Sequence, residues 1–203
     1  MHYHVENCAI IILAAGKSSR LGTPKQIITF QGKTLLQHAV DEAVQTSIQP
    51  IVVVVGAHDD AVVKTLDESN IHIIKNLNWE DGISSSIRGG LEALLEINTS
   101  IDGVIIMVCD QPHVTHFLLE SLLKEQQKSG QPIVASSYEN ILGTPVLFHK
   151  SFFKQLMRLA GDSGARKLIK EHPNTITFVS FPKGNIDIDT LEDYEKLINS
   201  SAG

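Results

Sequence analysis

Short apolar runs alternate with segments of helical periodicity through the first two thirds of the chain. The runs are Ile10–Leu13, Ile51–Val55, Ile71–Ile74, Val104–Val108 and Ile133–Ala135. The helix-like segments are Leu35–Thr46, Asp59–Leu66, Ser84–Leu95 and Phe117–Gln127. Alternating strands and helices are typical of a parallel sheet covered by helices on both faces. The pattern therefore predicts an α/β fold, a three-layer sandwich around a mostly parallel, Rossmann-like sheet.

The alternation weakens from about residue 136 onward. Tyr138–Phe148 is predicted as two short extended pieces around Gly143. The later elements predicted are helices over Phe152–Leu159 and Ala165–Glu171, a strand over Thr175–Val179 and a last helix that starts at a capping box, Thr190-Leu-Glu-Asp, and runs through Ile198. No linker or repeat interrupts the chain, so we expect a single domain over residues 1–203.

Composition and charge narrow the classes of protein that fit. The 203 residues are 42% hydrophobic and 20% charged, as in a globular protein, and carry a net charge of −6. An acidic chain is unlike a general nucleic-acid binder, so no nucleic-acid partner is expected. Cys8 and Cys109 have neither metal-ligand nor disulfide spacing, and no apolar run is long enough to cross a membrane. We therefore expect a cytoplasmic protein without a membrane partner.

The first apolar run leads into small residues and then into cations. Ala14, Ala15 and Gly16 leave backbone N–H groups open to close approach by a ligand. The cations that follow are Lys17, Arg20 and Lys25. Exposed amides together with basic side chains favour a polyphosphate. The spacing fits neither a P-loop nor the three-glycine dinucleotide fingerprint, so a third kind of phosphate loop is expected.

The stretch from Leu13 to Lys25 reads Leu-Ala-Ala-Gly-Lys-Ser-Ser-Arg-Leu-Gly-Thr-Pro-Lys. It matches the signature Leu-Ala-Ala-Gly-x-Ser-x-Arg-x-Gly-x-x-Lys, and the chain resembles the molybdenum cofactor cytidylyltransferases. The resemblance implies a glycosyltransferase A-type sheet, with a nucleotide-binding half at about 1–112 and an acceptor-binding half at about 113–203. It also implies that Leu13 and the small residues after it bind the nucleotide together with the three cations.

Two acidic positions are candidates for a metal site. Asp110 follows a buried strand and should lie at the ligand edge of the sheet, although Asp-Gln-Pro is also good turn chemistry. The resemblance implies that Asp110 binds Mg²⁺ and that an Asp-x-Asp-Thr segment completes the site. Of the two carboxylates in that segment, Asp189 is the first choice as ligand and Asp187 the second. An acidic cluster before a helix also favours the helix dipole without any metal.

A glycine turn and a serine-rich helix start follow the third strand. Ser84 is a good helix N-cap, which is the structural interpretation of the segment. The resemblance implies instead that Gly82, Ser84 and Ser85 contact the nucleotide, with the glycine close to a planar base.

Acceptor-binding residues are implied by two weaker matches. Gly143, Thr144 and Pro145 form the first, but Thr144 stands where the family often has histidine, which leaves the acceptor open. Arg166 lies in the second, Gly-Asp-Ser-Gly-Ala-Arg, and is otherwise an exposed helix cation.

The resemblance implies a Mg²⁺-dependent transfer of CMP from CTP to a phosphorylated acceptor, foremost molybdopterin, with release of pyrophosphate. Lys25, Arg20 and Asp110 are the catalytic candidates. The product would pass to a molybdenum hydroxylase. Two alternatives remain open: transfer to another acceptor, such as guanylyl transfer or a reaction of a sugar phosphate or methylerythritol phosphate, and a non-catalytic maturation factor for a molybdenum enzyme.

Overall fold

The computed structural model of the protein describes residues 2–16, 24–56, 59–64, 66, 70–188 and 190–201. The strands in these ranges are β1 (Cys8–Ala14), β2 (Thr29–Phe30), β3 (Lys33–Thr34), β4 (Ile51–Val55), β5 (His72–Lys75), β6 (Gly103–Val108), β7 (Ile133–Tyr138), β8 (Ile141–His149) and β9 (Ile176–Ser180). The helices are α1 (Leu35–Val44), α2 (Asp59–Val63), α3 (Ile83–Ile97), α4 (His116–Ser129), α5 (Phe153–Leu156), α6 (Ala165–Glu171) and α7 (Leu191–Ser201). Short 3₁₀ turns lie at Lys25–Ile27, Trp79–Asp81, Lys150–Phe152 and Pro173–Thr175.

Seven of these strands form the central sheet in the order β5-β4-β1-β6-β8-β7-β9. The four strands from β5 to β6 run parallel, and β9 is parallel to β7. Strand β8 is antiparallel to both of its neighbours. The mostly parallel α/β sheet expected from the alternating pattern is therefore confirmed, with one reversed strand inside it.

Helices cover both faces of the sheet because the central strands are buried on both sides. In β1, Ile10 and Ile12 pack into a cluster that includes α1 and α4, whereas Ile11 packs into a second cluster with α3, α5 and α6. Continuous apolar strands such as β1 and β4 need this double cover, since every one of their side chains must be removed from water. The predicted three-layer arrangement is confirmed.

The prediction of two short extended pieces around Gly143 was wrong. Strand β8 continues through Gly143, although its pairing with β7 shifts between Gly143 and Val146, and the turn before it lies at Glu139 and Asn140, whose φ values are +46° and +63°. Gly143 serves a packing purpose instead: a Cβ there would lie 2.3 Å from the hydroxyl oxygen of Tyr138. The glycine makes room for a neighbouring side chain, which a one-dimensional pattern does not distinguish from a turn.

A small separate core joins the β2–β3 hairpin to the end of the chain. It consists of Phe30, Leu35, Ile188 and Leu197, all buried. Helix α7 begins beside this core with the predicted capping box, in which the Thr190 amide donates to Asp193 Oδ2 (2.9 Å) and the Asp193 amide donates to Thr190 Oγ1 (3.2 Å). The C-terminal segment is thus packed against the β2–β3 hairpin.

Among the described residues, every helix falls short of the length and apolar character needed to cross a membrane.

Candidate active site

A cavity of about 390 Å³ opens beyond the carboxyl ends of β1 and β6. Register brings these ends together, because Leu13 pairs with Val108 and Ala14 pairs with Val55 of β4. The lining residues are Leu13, Ala14, Ala15, Gly16, Lys25, Gln26, Trp79, Glu80, Gly82, Ile83, Ser86, Val108, Cys109, Asp110 and Asp162. Ligands of open α/β sheets bind at this edge.

The loop after β1 is held in place by one buried glutamine. Gln26 Nε2 donates to the carbonyl oxygens of Ala14 and Gly16, each at 2.8 Å, and the Gln26 side chain is fully buried. These two hydrogen bonds fix the backbone at Ala14 and Gly16, where the loop begins. The predicted nucleotide-binding residues Leu13 to Gly16 all lie on the cavity wall. Lys17 and Arg20 lie outside the described residues.

Lys25 and Asp110 meet at the centre of the cavity. Lys25 Nζ donates to Asp110 Oδ2, and both side chains are largely buried, with exposed fractions of 18% and 14%. The second carboxylate oxygen, Asp110 Oδ1, is buried and accepts no hydrogen bond from any described residue. A buried carboxylate oxygen without a partner is costly unless something binds it.

This unsatisfied oxygen fits a divalent cation. Carboxylate oxygens are the protein ligands that Mg²⁺ prefers, and one or two of them suffice when phosphate oxygens and water complete the shell. Within the described ranges no three His, Cys, Asp or Glu side chains converge on one point, as a closed protein-only metal site would require. The Asp110 oxygen is suited to bind a cation whose shell is completed by water or by phosphate oxygens.

The acidic segment near the C-terminus lies against Asp110. The Ile188 amide donates to the backbone carbonyl of Asp110 at 3.1 Å, so residues 184–188 run beside the turn that carries that carboxylate. Asp187 is in this segment and is exposed. Asp189, the first choice as second metal ligand, lies outside the described residues.

The serine-rich start of α3 contributes to the cavity differently from the sequence expectation. Ser86 lines the cavity, whereas the hydroxyl of Ser84 accepts from Arg88 and the hydroxyl of Ser85 donates to the carbonyl of Gly82 (2.8 Å). Asn76 Nδ2 donates to both Ser85 and Ser86. The nucleotide-binding roles of Ser84 and Ser85 stay predictions; in this structure both hydroxyls bond within the protein.

Gly82 forms a close junction with the loop before α6. Its φ and ψ are +88° and 178°, and a Cβ there would lie 2.5 Å from the carbonyl carbon of Gly161 and 2.6 Å from Asp162 Oδ1. The Ser84 amide donates to the Gly161 carbonyl at 3.2 Å. The loop before α6 therefore closes one side of the cavity and brings Asp162 into its lining.

The predicted acceptor residues lie outside this cavity. Thr144 Oγ1 donates to Gln111 Oε1 at 3.2 Å, and the carbonyl of Pro145 accepts from Ser136 at 2.7 Å. Arg166 donates to the hydroxyl of Tyr138 and lines a second, more open cavity of about 440 Å³. Gly143 packs against that same tyrosine. Their acceptor-binding role stays a prediction.

Burial keeps the cysteine beside the site in its neutral form. Burial, assisted by the negative charge of Asp110 and opposed by Lys25, raises the pKa of Cys109 to about 12. A thiol of this kind is protonated at neutral pH and is neither a nucleophile nor a metal ligand there. Cys109 is therefore not a candidate for the chemistry of the cavity.

Several lining residues were missed from the sequence. Gln26, Ser86 and Asp162 all reach the cavity or its loop through tertiary contacts. Trp79 also lines it. For Asp162 and Ser86 a signal existed, because Asp162 lies in the Gly-Asp-Ser-Gly-Ala-Arg segment and Ser86 lies in the serine-rich start of α3. For Gln26 no local pattern distinguishes it from an ordinary polar position.

Comparisons with known proteins point to one group. A sequence profile of the MobA-like NTP transferase domain matches residues 10–176. The nicotine blue oxidoreductase of Paenarthrobacter nicotinovorans is 26% identical over 93% of this chain and 95% of its own. A probable molybdenum cofactor guanylyltransferase of Bacillus cytotoxicus is 24% identical over 96% and 98% of the two chains.

Solved structures share the fold along almost the whole chain. A homologue of Mycobacterium tuberculosis Rv0371c from Mycobacterium sp. strain JC1 superposes with a TM-score of 0.82 at 28% identity, covering 97% of each chain. Rv0371c of M. tuberculosis H37Rv in complex with manganese gives a TM-score of 0.77 at 24% identity, over 96% of this chain and all of that one.

Proposed function

The chain belongs to the MobA-like NTP transferase family and is a nucleotidyltransferase, and we propose that it transfers CMP from CTP to a phosphorylated acceptor, foremost molybdopterin. The single observation that carries the proposal is the Asp110 carboxylate, which has one oxygen on Lys25 and the other buried without a partner among the described residues. It lies in the same cavity as the glycine-containing loop after β1.

The proposed reaction forms a bond between an acceptor phosphate oxygen and the α-phosphorus of the nucleotide, and breaks the bond from that phosphorus to the bridging oxygen of pyrophosphate. Such a transfer depends on alignment and on neutralising charge, and it needs no covalent enzyme intermediate. In this proposal Lys25 stabilises the charge that develops at the α-phosphate. Lys17, Arg20 and the loop amides hold the β- and γ-phosphates.

Asp110 is proposed as the principal carboxylate ligand of a divalent cation, with Asp189 or Asp187 as the second. When bound, Mg²⁺ neutralises phosphate charge and fixes the orientation of the triphosphate. Support comes from the unsatisfied Asp110 oxygen and from the contact between Ile188 and Asp110, which brings the acidic segment alongside. Nucleotidyltransferases of this type generally use divalent metals, and one protein of the same fold was crystallised with manganese.

The choice of CTP rests on Ala15. The guanylyl branch of the resembling family usually has glycine at this position, and here a methyl group stands on the cavity wall. A Cβ added at the neighbouring Gly56 would lie 2.9 Å from the Ala15 Cβ and 2.8 Å from the Trp79 Cβ, so this side of the cavity is tightly closed. Less room beside the base supports a pyrimidine over a purine.

Guanylyl transfer is the second candidate, and the names of relatives favour it. Relatives are described as probable molybdenum cofactor guanylyltransferases, at 24% identity along almost the whole chain and at 28% over 64% of it. Those names describe those proteins. Both candidates share the Lys25 and Asp110 chemistry and differ only in the base that the cavity accepts.

The test is a thermal-shift panel of CTP, GTP, ATP and UTP with Mg²⁺, followed by pyrophosphate release with molybdopterin. A nucleotide at a hundredfold excess over its Kd stabilises the fold by about 2.7 kcal/mol, which is roughly 5–11 °C in Tm for a chain of this size. We expect the largest shift and the fastest pyrophosphate release with CTP. The same result with GTP identifies guanylyl transfer, and binding without pyrophosphate release identifies a maturation factor. No response to any nucleotide contradicts the proposal.

A further inference from the structure

We infer that Gln111 is a positioning residue that holds the acidic segment 184–188 against the turn carrying Asp110. This inference rests on the proposed function, because it assigns Gln111 a role in assembling the proposed metal site. Gln111 follows Asp110 directly in the chain and is 95% buried.

Both the nitrogen and the oxygen of the Gln111 side-chain amide form hydrogen bonds. Nε2 donates to the backbone carbonyl of Gly184 at 2.9 Å, and Oε1 accepts from Thr144 Oγ1 at 3.2 Å. A carbonyl can only accept and the threonine hydroxyl is free to donate, so these two partners fix the orientation of the amide. The side chain thereby connects three parts of the fold: the end of β6, strand β8 and the C-terminal segment.

Two tethers bracket Asp187. Gln111 binds the carbonyl of Gly184 on one side, and the Asp110 carbonyl accepts from the Ile188 amide on the other. Ile188 is fully buried in the small core with Phe30. A segment fixed at both ends has little freedom to move Asp187 away from Asp110.

Two aromatic rings pack against one side of Gly184. A Cβ on Gly184 would lie 2.3 Å from Tyr138 Cδ1 and 2.6 Å from Phe181 Cδ1, and its amide donates to the Phe181 carbonyl at 2.9 Å. The rings block movement of the backbone toward them at the point where Gln111 holds it. Losing the Gln111 bond would release the segment on the side that faces the Asp110 turn.

The test compares Gln111→Met with a matched control, Gln126→Met. Methionine keeps the length and volume of glutamine and removes both hydrogen bonds. Gln126 is also a buried glutamine that bonds backbone groups, accepting from the Val5 amide and donating to the carbonyls of Tyr3 and Gln131. It packs at the opposite end of α4 from the cavity. Both variants lose buried hydrogen bonds, but only Gln111→Met should change the affinity for the metal ion.

Mn²⁺ serves as the probe, with free Mn²⁺ followed by electron paramagnetic resonance in the absence of substrates. Residues that orient metal ligands typically contribute 10–100-fold to metal affinity, so we expect Gln111→Met to weaken Mn²⁺ binding about tenfold. In the pyrophosphate assay the Mn²⁺ concentration for half-maximal rate should rise by a similar factor, while kcat at saturating Mn²⁺ returns toward that of the unmodified protein. Gln126→Met should lower Tm without changing either metal parameter.

Thr144→Val gives a second, milder variant that decides the matter if Gln111→Met does not fold. Valine removes the hydroxyl that orients the amide, and we expect about a threefold loss of Mn²⁺ affinity, roughly half of the free-energy change expected for Gln111→Met. Mn²⁺ affinities equal to that of the unmodified protein in the folded variants overturn the inference while the proposed function stands. An unmodified protein that neither binds Mn²⁺ nor releases pyrophosphate overturns the proposed function and this inference with it.

Discussion

Lys25 and Asp110 lie 85 residues apart in the chain, yet their side chains meet in the cavity beside the loop after β1. Their pairing leaves Asp110 Oδ1 buried without a partner among the described residues. An ion pair that exists only for stability would be expected to satisfy both oxygens. The geometry is therefore better explained by a role in binding than by a role in folding.

Replacing Asp110 with asparagine tests whether its carboxylate binds a cation. The amide keeps the shape of the carboxylate but loses the charge that would hold a cation, and we expect turnover to fall about a hundredfold or more at every Mg²⁺ concentration. Tm should change by only a few degrees, because the side chain contributes little packing. The measurement is the rate across a Mg²⁺ titration, and a rate equal to that of the unmodified protein at every Mg²⁺ concentration would contradict the metal assignment.

Replacing Lys25 with alanine should distinguish stabilisation of the α-phosphate, which needs Lys25, from binding of the metal, which does not. We expect kcat to fall about 10²–10³-fold, as when a donor aimed at developing negative charge is removed, while Mn²⁺ affinity stays the same or rises. Binding of CTP can be followed in the same samples by fluorescence, since Trp79 is the sole tryptophan and lines the cavity. Near-normal turnover would remove Lys25 from the mechanism.

Gly82→Ala should disturb the junction between the two halves of the cavity. The backbone at φ +88° and ψ 178° is a conformation essentially restricted to glycine, and a Cβ would also meet the Gly161 carbonyl at 2.5 Å. We expect a loss of about 3 kcal/mol or more in the free energy of unfolding and weaker CTP binding.

Gly161→Ala is the matched control for that change. Gly161 also has positive φ, +61°, but a Cβ there would have no atom within 4 Å. Its cost should be limited to backbone strain, about 1–2 kcal/mol. Urea unfolding of both variants measures the difference, and equal losses would mean that the contact with the loop contributes nothing.

Single residues were the hardest part of this site to predict from the sequence. The small-residue loop and Asp110 stand at strand ends, where ligand chemistry is expected. Gln111 looks like an ordinary polar position, because its partners lie on elements that are remote in sequence. Only the folded chain reveals that it bonds the C-terminal segment.

A glycine on the buried face of helix α3 allows the helix to pack closely against the sheet. A Cβ on Gly90 would lie 2.8 Å from Ile11 Cγ2 and 3.0 Å from Val54 Cγ2, whereas a Cβ on Gly89 would meet only Ile74 Cδ1, at 3.7 Å. The two neighbouring glycines therefore have different roles. One sets the distance between the helix and the sheet, and the other contacts little.

We expect Gly90→Ala to destabilise the protein by about 1–3 kcal/mol through overpacking. Gly89→Ala should instead stabilise it by up to about 1 kcal/mol, because alanine is the better helix former and meets only an ordinary contact. Chemical denaturation of the two variants measures both changes in the free energy of unfolding. Stabilisation by Gly90→Ala would show that α3 can move away from the sheet at no cost.

The elements themselves were largely predictable where the hydrophobic period was long and regular. Helix α6 was predicted over its full range, and the capping box at Thr190 forms as expected. Strand β8 was not, because Gly143 suggested a turn when its true role is to make room for Tyr138. A glycine in a sequence indicates missing bulk, and the structure decides whether backbone or packing uses it.

Histidines buried in the folded molecule make its stability depend on pH. Burial lowers the pKa of His149, and the positive charge of Lys150 lowers it further. The negative charge of Asp102 opposes this shift. The ring nitrogen Nδ1 accepts from the Ser151 amide at 3.2 Å, which favours the neutral ring. Burial, with Lys183, lowers the pKa of His113 in the same direction.

A lowered pKa in the folded state means that the unfolded chain binds protons more readily below pH 6.5. The stability contributed by these neutral rings is therefore fully present above pH 6.5 and is lost as the pH falls below it. We expect the free energy of unfolding to decrease from pH 7.5 to pH 5, and to decrease less in His149→Gln. Urea unfolding at the two pH values measures this, and an equal decrease in the variant would exclude His149 as a contributor.

For the whole molecule, the alternation of apolar runs and helical segments predicted the layers and the edge of the sheet at which the cavity opens. It did not predict the reversed strand β8, and it gave no measure of how the last segment would pack. Those features depend on contacts between distant parts of the chain, such as Ile188 with Phe30 and Ile188 with Asp110.

The contact between Ile188 and Asp110 has a consequence for synthesis of the protein in the cell. The ribosome delivers the loop after β1 before Asp110, and Asp110 before the acidic segment. A nascent or prematurely terminated chain can therefore form much of the sheet and still lack the segment that would complete the proposed cation site. In the proposed mechanism such unfinished molecules would not consume nucleotide, and activity would begin only once the acidic segment had emerged from the exit tunnel and docked.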